Sequence, residues 1–234
     1  MTQENTNARP SHGTLILAGN ALSFESPIPA DSLAVVRSSH LLVFEEDRVA
    51  RHVLKNAGLH RDYIKYNEHK SKDSMATIQE ALQAGQTVCY MSDCGMPNLA
   101  DPGKELLELA YRSKVKVRII PGPSSVTAAL AACPFSIKQF RYVGFLPQKQ
   151  EERQRELTFL SKEKIPLVVL DTPYRLASLL KAFKEAFSQQ RKALLALDIT
   201  GPDEEFRVGN LQSLAAYAEQ LQKKLNFVLV VDSN

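Results

Sequence analysis

Two loops of ligand-binding composition follow two short apolar runs of the chain. The first run, Val88–Met91, leads into a loop that extends to Gly103, and the second run, Val117–Ile120, leads into Pro121–Ser125. β-rich runs followed by helical patterns predict parallel strands with helical crossovers. Ligands of open α/β sheets bind beyond the carboxyl ends of the strands. We therefore expect the two loops to lie on neighbouring strands and to form the wall of a small-molecule site.

The composition is that of an ordinary globular protein. The chain has 234 residues, of which 44% are hydrophobic and 24% charged, and its formal net charge is +3. So small a positive charge permits RNA binding without indicating it. No apolar run reaches the roughly 18 to 20 residues that span a bilayer, so no membrane contact is predicted. Residues 1–12 are polar and are predicted to be a disordered tail rather than a signal peptide.

The three cysteines favour a reduced, cytoplasmic protein, because their number is odd and their neighbours are mostly apolar. Cys89 and Cys94 are not spaced as zinc ligands are, so no metal site is predicted. Cys89 and Cys133 are interpreted as buried structural thiols. Cys94 lies in the first loop, where it could contact a ligand.

Alternating strand and helix patterns predict two α/β domains. A break at Cys133–Phe135 and a new alternating unit after it place the domains at 13–139 and 140–234. For the helix that starts at Lys104, Asp101 is the predicted N-cap, with Pro102 in the first helical position. The predicted strands are 14–18, 41–44, 87–91, 116–120, 141–145, 167–170, 193–197, 205–208 and 227–231, and the predicted helices are 33–39, 48–57, 75–84, 104–111, 124–132, 151–162, 176–187 and 211–221.

Two common nucleotide-binding signatures are missing from the sequence. Neither G-x-G-x-x-G after the first strand nor the Walker pattern occurs, which disfavours dinucleotide enzymes, P-loop NTPases and the common Rossmann-type methyltransferases. Gly and Pro recur instead in the loops after later strands. Glycine permits the backbone to approach a ligand closely, so these loops together favour a binding site over ordinary turns.

Several motifs, in order along the chain, resemble those of the tetrapyrrole methylase superfamily. They are similar in particular to its ribosomal RNA small-subunit methyltransferase I branch, which 2′-O-methylates a cytidine. Residues 92–97 with 101–103 resemble S-D-A-G-T-P…D-P-G, 121–124 the P-G-P loop, 144–147 G-F-L-P, 46–48 E-D-T-R, 67–68 H-N-E, and 172–175 E-S-P-H-R, while 198–200 stand where the branch has R-E-x-T-K.

The resemblance implies an S-adenosylmethionine-dependent methyltransferase that acts on ribosomal RNA. It implies an α/β, two-domain tetrapyrrole-methylase-like fold, with a parallel-sheet N-terminal domain, a smaller mixed-sheet C-terminal domain, the cofactor in the cleft between them, and a cytoplasmic homodimer. The loop after the first predicted strand departs from the family, because its G-T-P-I-G-N is reduced to Ala18-Gly19-Asn20 and is followed by an unfamiliar segment, 21–29. Two alternatives therefore stay open: a methylase of a tetrapyrrole or another small molecule, and a cofactor-binding homologue without catalysis.

The resemblance assigns the cofactor mainly to the two Gly/Pro loops. Asp93 is expected to face the amino group or ribose, with a turn-forming Asp as the alternative. The free N–H groups of a helix start at Ser124 and Ser125 attract a carboxylate, the alternative being plain N-capping. The expected cofactor-binding residues are Asp93, Cys94, Gly95, Met96, Pro97, Pro121, Gly122, Pro123, Ser124, Ser125, and also Phe145 and Leu146, which bracket the adenine unless they are core residues.

The acceptor side is assigned to charged residues. The candidates for a general base are Asp47, Glu46 and Glu68, and each could equally be a solvated charge. Arg48 and Arg175 are expected to hold substrate phosphates, with surface ion pairing as the alternative. A basic cluster of Arg141, Lys149, Arg153 and Arg155 would add weak attraction for RNA.

Overall fold

The structure is a computed structural model that describes residues 13–67 and 71–233. The predicted tail 1–12 and the candidate base Glu68 lie outside the described residues. The chain divides into two compact units, the first ending at Pro123 and the second beginning at Ser124. No helix in the described part is both long and apolar enough to cross a membrane.

The first unit is a parallel five-stranded sheet with helices on both faces. Its strands lie in the order β3-β2-β4-β1-β5, and every pairing is parallel. The elements are β1 (Thr14–Ala18), α1 (Ala30–Ser38), β2 (Leu41–Phe44), α2 (Asp47–Ala57), β3 (Ile64–Lys65), α3 (Ser71–Gln83), β4 (Thr87–Met91), α4 (Lys104–Arg112) and β5 (Lys116–Ile120).

The order of these strands corrects one expectation. Because β1 pairs with both β4 and β5, with Leu15 opposite Val88 and Val117, the strands before the two Gly/Pro loops are not neighbours. The loop after β1 therefore stands between them, at the same edge of the sheet. A strand that is paired on both sides and covered on both faces has a continuous apolar sequence. This is why apolar and polar residues do not alternate in β1 and β4.

Two apolar layers hold the helices on this sheet. One face, which includes Phe44 and Cys89, packs with Val49 and Val53 of α2, and α2 ends at Gly58 with φ +70°. The other face, which includes Tyr90, packs with the buried side chains of α3 and α4. Cys89 is therefore buried as predicted, whereas Cys133 is only half-buried.

The N-cap of α4 differs from the prediction. Its N-cap is Gly103, at φ +147°, rather than Asp101, and the helix begins at Lys104. The Asp101 carboxyl instead lies near the Ser92 side chain, which lowers its pKa, while burial raises that pKa overall. Asp101 thus belongs to the loop after β4 and not to the helix.

The second unit is a mixed five-stranded sheet in the order β6-β7-β10-β8-β9. Only β6 and β7 pair in parallel, while β10 runs antiparallel to both of its neighbours and β9 antiparallel to β8. The elements are α5 (Ser125–Ala131), β6 (Arg141–Phe145), α6 (Gln150–Leu160), β7 (Leu167–Asp171), a 3₁₀ turn (Pro173–Arg175), α7 (Leu176–Ala186), β8 (Lys192–Leu197), β9 (Glu205–Asn210), α8 (Leu211–Gln220) and β10 (Phe227–Val231).

The core of this unit lies between the sheet and helices α6, α7 and α8. Leu195 and Leu229 of the sheet pack there with Leu180 and Phe183 of α7. α5 packs against β10, so the compact division falls before α5. The sequence pattern places the boundary after residue 139, following the break at Cys133–Phe135.

Candidate functional site

The loops after β1 and β4 are joined by main-chain hydrogen bonds in both directions. The Asn20 N–H donates to the Gly95 carbonyl at 2.8 Å, and the Gly95 N–H donates to the Ala21 carbonyl at 3.3 Å. Both backbone groups of Gly95 are therefore engaged within the first unit. Gly95 contributes the shape of the predicted cofactor loop, and its N–H is not free to bind a ligand.

The Asn20 side chain is a buried polar tie that the sequence analysis did not assign to the site. It is 4% exposed. Its Nδ2 donates to the carbonyls of Ser92 and Asp93 at 3.2 and 3.1 Å, and its Oδ1 accepts from the Ala21 N–H at 2.9 Å. An amide that directly follows a strand-terminal glycine is the signal that would have identified it, because one side chain there reaches two loops.

Gly19 and Gly122 let the loops after β1 and β5 touch. A Cβ on Gly19 would lie 2.6 Å from the Gly122 Cα, and a Cβ on Gly122 would lie 2.8 Å from the Gly19 Cα. The Gly122 N–H points to the Met96 Sδ at 3.1 Å. The loops predicted to hold the cofactor are thus brought together, with the loop after β1 as the connecting piece.

Three half-buried carboxyl groups follow β2 and β4. The Asp93 N–H donates to Glu45 Oε2 at 3.3 Å, which ties the two strand ends together. Burial, followed by the charges of Asp93 and Asp101, raises the pKa of Glu45 to about 7. Burial also raises the pKa of Asp101 to about 6 and, together with the charge of Glu46, raises that of Asp93.

One oxygen of this acidic group has no partner. Asp93 Oδ1 is buried and makes no hydrogen bond among the described residues. A buried carboxylate oxygen without a donor is unfavourable unless a ligand supplies a cation or a hydrogen-bond donor. The edge of the first sheet is therefore suited to a positively charged ligand.

A cavity of about 250 Å³ adjoins the acidic group. The Tyr66 hydroxyl donates to Glu105 Oε2 at 3.0 Å, and the hydroxyl of the buried Tyr90 donates to the Pro102 carbonyl at 3.0 Å. These bonds fix the wall that follows β3 and β4. The cavity is lined by Tyr66, Asn67, Asp101, Pro102, Gly103, Lys104 and Glu105.

Asp47, a predicted base, is already paired. Its carboxylate accepts from the Tyr63 hydroxyl and from Lys65 Nζ, each at 3.0 Å, and these bonds lower its pKa. A carboxylate that is held in this way is a poor proton acceptor. The geometry therefore weighs against Asp47 as the base, because its carboxylate is already paired with Lys65.

The predicted phosphate ligand Arg48 lies at the start of α2. Its guanidinium stacks over the Phe24 ring at 4.3 Å, and His52 meets the same ring edge-on at 5.0 Å. Phe24 belongs to the segment 21–29 that departs from the family motif, and 38% of it remains exposed. Arg48 therefore anchors this unfamiliar loop on α2 and still reaches the surface.

In the second unit, the two predicted adenine contacts differ in exposure. Phe145 is 52% exposed, whereas Leu146 is 3% exposed and belongs to the core. Core packing is the alternative for Leu146, and its burial favours that alternative. Ser124 is the N-cap residue of α5, but its side chain makes no capping hydrogen bond, so the plain capping role is not observed.

Arg175 ties two loops of the second unit. Its Nη2 donates to the Pro147 carbonyl at 3.1 Å, and its Nη1 lies 3.4 Å from Oδ1 of the buried Asp171. Burial raises the pKa of Asp171, although the Thr172 N–H and Arg175 oppose the rise. Arg175 is thus largely committed to its own unit, as the ion-pair alternative expects.

The predicted basic cluster is partly neutralised. Arg141 pairs with Glu163, Lys149 Nζ lies 3.2 Å from Glu152 Oε1, and Arg153 donates to the Gln148 carbonyl at 3.0 Å. Exposed pairs of this kind contribute little energy.

No group of three or more His, Cys, Asp or Glu side chains in residues 13–67 and 71–233 is arranged to hold a metal.

The described loops and the two sheets define a class of protein. A model of the family described as Tetrapyrrole (Corrin/Porphyrin) Methylases matches residues 28–215. The chain belongs to this family and is an S-adenosylmethionine-dependent methyltransferase. The membership of this family that the sequence motifs predicted is confirmed.

Two relatives with the same name are similar to the chain over most of its length. The chain is 34% identical over 208 residues to the ribosomal RNA small subunit methyltransferase I of Mesorhizobium japonicum, covering 89% of this chain and 71% of that protein. It is 32% identical over 219 residues to the protein of the same name from Thermotoga maritima, covering 94% and 97%.

Solved structures share the fold. A cobalt precorrin-4 methyltransferase superposes with a TM-score of 0.71 at 17% identity, covering 97% of this chain and 98% of that one. The uroporphyrin-III C-methyltransferase of Thermus thermophilus in complex with S-adenosyl homocysteine superposes with a TM-score of 0.63 at 15% identity, covering 94% and 97%. The predicted fold class is confirmed.

The residues of the first unit fit S-adenosylmethionine. This methyl donor carries a sulfonium and an ammonium group. Asp93 offers a buried oxygen with no hydrogen-bond partner among the described residues, and both Glu46 and Lys65 lie within electrostatic reach of it. The Gly19–Gly122 contact leaves no room for side chains beneath the loops. When bound, the cofactor supplies an electrophilic methyl group, and the protein supplies orientation and charge.

Proposed function

We propose that the protein methylates ribosomal RNA, at the 2′-hydroxyl of a cytidine. The observation that carries this proposal is the 32% identity, over 97% of its length, to a protein named ribosomal RNA small subunit methyltransferase I. The position of the methyl group rests on the motif resemblance of the sequence. Homologues so named support an RNA acceptor more directly than the tetrapyrrole enzymes do, because the latter share only the fold.

We further propose a set of cofactor contacts. Their support is the connected floor formed by the loops after β1, β4 and β5, together with the unpartnered oxygen of Asp93. In the first unit the contacts are Asp93, Cys94, Gly95, Met96, Pro97, Pro121, Gly122 and Pro123, and in the second unit Ser124, Ser125, Phe145 and the backbone of Leu146.

An Asp93 variant tests the cofactor site. We expect Asp93→Ala to weaken binding of S-adenosylmethionine at least about tenfold, or roughly 1.4 kcal/mol, since the carboxylate would no longer face a cationic ligand. Isothermal calorimetry on the full chain measures the dissociation constant. Asp62→Ala, an exposed position of the same unit, serves as the control. Unchanged affinity in Asp93→Ala would place the cofactor elsewhere.

Transfer of a labelled methyl group identifies the acceptor. The protein is incubated with labelled S-adenosylmethionine and total RNA, and the label is then mapped. Label on a ribose of small-subunit RNA supports the proposal, and label confined to small molecules supports a small-molecule methylase. Cofactor binding without any transfer would identify a non-catalytic homologue.

The cellular setting follows from the RNA acceptor. We propose that the protein acts in the cytoplasm, where ribosomal subunits occur, and that it works as a homodimer. The homodimer rests on the family resemblance and is supported by Phe206 and Val208, which are 39% and 53% exposed on the edge strand β9. Arg48 is retained as a substrate contact, because its guanidinium reaches the surface beside an exposed ring.

A further inference from the structure

We propose that Glu45 is the general base that takes the proton from the acceptor hydroxyl. The inference rests on the proposed function and names a residue for it that the motifs leave out. It is carried by the position of Glu45 in the first unit, by its hydrogen bonding and by the pairing of Glu46 and Asp47, in the same acidic run, with Lys65.

Glu45 stands at the carboxyl edge of the sheet, in the loop region where ligands of parallel sheets bind. Phe44 of β2 is in register with Met91 of β4, so Glu45 follows its strand at the same level as Ser92. The Asp93 N–H holds Oε2 at 3.3 Å. The second oxygen, Oε1, makes no hydrogen bond within the described residues, and the side chain is only half-buried.

The two carboxylates that follow Glu45 in the chain are both paired with Lys65. Lys65 Nζ lies 3.0 Å from Asp47 Oδ2 and 3.6 Å from Glu46 Oε2. Glu45 makes no ion pair in residues 13–67 and 71–233. In the acidic run 45–47 it is therefore the carboxylate that is left without a cation and with a free oxygen.

The charges that face Glu45 are all acidic. They are Asp93 and Asp101 from the loop after β4 and Glu46 from its own segment. Burial and these charges bring its pKa to about 7. A general base works best when its pKa lies near the pH of the reaction, because it is then both ionised and basic.

The cavity of about 250 Å³ that Asp101 lines is where we place the acceptor nucleoside. Asp101 lines that cavity and also contributes to the raised pKa of Glu45. The Tyr90 hydroxyl, which holds the cavity wall at Pro102, lies within electrostatic reach of Glu45 and Asp101, and burial and these charges raise its pKa. A nucleoside in the cavity would thus lie next to Asp101, whose charge acts on Glu45.

The proton transfer balances without any further reactant. The O–H bond of the acceptor breaks and its proton moves to Glu45 Oε1. The oxygen electron pair forms the new O–CH₃ bond, while the pair of the broken C–S bond stays with the donor sulfur. The carboxyl then returns its proton to solvent, which its half-buried position allows.

Three variants of the full chain test the proposal: Glu45→Gln, which keeps the size and removes the basicity; Glu45→Asp, which keeps the carboxylate; and Glu80→Gln, an exposed control on α3. For Glu45→Gln we expect kcat to fall roughly 100-fold or more, with the dissociation constant of S-adenosylmethionine within about threefold of wild type. Glu45→Asp should restore part of kcat, and Glu80→Gln should match the wild type.

A second readout does not depend on turnover. Carboxyl ¹³C NMR of the protein without ligands should show a glutamate titrating near pH 7 that is absent from Glu45→Gln. In wild type, the acidic limb of the kcat profile should follow the same titration. A kcat of Glu45→Gln within threefold of wild type, or an unchanged acidic limb, would overturn the proposal. Failure of the proposed function is distinct, because wild type itself would then transfer no methyl group to RNA.

Discussion

Replacement of Asn20 by Ala tests how the predicted cofactor loops are held. The Asn20 amide makes three hydrogen bonds, to Ser92, Asp93 and Ala21, and is 4% exposed. A hydrogen bond contributes about 1 kcal/mol, and a buried polar group left without its partner costs about 1–3 kcal/mol. We therefore expect Asn20→Ala to lower the free energy of unfolding by about 3–5 kcal/mol.

Differential scanning calorimetry and urea unfolding followed by circular dichroism measure this loss. At about 2–4 °C per kcal/mol for a chain of this size, the melting temperature should fall by roughly 6 °C or more. Asn56→Ala is the matched control, because Asn56 is exposed on α2 and bonds only within its own helix. The control should stay within about 0.5 kcal/mol of wild type.

The same variant should also weaken cofactor binding, because Asn20 joins the loop after β1 to the loop after β4. Isothermal calorimetry at a temperature where Asn20→Ala remains folded separates this effect from the loss of stability. A loss below about 1 kcal/mol at an unchanged urea m-value would refute the reasoning, since the amide would then not be the tie that the geometry indicates.

Two further predictions concern buried charge. Arg191 is 6% exposed and donates to the carbonyls of Asp232, Ser161 and Glu163. Arg191→Ala should lower the free energy of unfolding in urea by about 3–5 kcal/mol, and Arg191→Lys should lower it less. Equal losses in the two variants would show that the several donors of the guanidinium do not matter. Because burial raises the pKa of Asp101 from 3.8 to about 6, its stabilising contribution is present below pH 3.8 and is lost as the pH rises through 6. Asp101→Asn should therefore flatten the fall in urea midpoint across this range, and an identical slope in the variant and wild type would contradict the raised pKa.

Several strands could be predicted to the residue, because their signal is local. The apolar runs at 14–18, 41–44, 87–91 and 116–120 coincide with β1, β2, β4 and β5. β3 was not predicted, since a pair of residues carries no periodicity and Ile64–Lys65 is a strand only by pairing with β2. The start of α4 at Lys104 was predicted correctly, but its N-cap is Gly103 and not Asp101.

The motifs along the chain were sufficient to recognise the family and its methyl donor, because a motif preserves residue types in order whatever their partners in space. The motifs could not show which charged groups are paired and which have a shifted pKa. Asp47 and Glu45 are two residues apart in one acidic run, yet Lys65 neutralises the first, while burial beside Asp93 raises the pKa of the second. The order of the strands decides which loops meet. Because β1 lies between β4 and β5, Asn20 reaches the loop after β4, and Gly19 packs against Gly122 in the loop after β5.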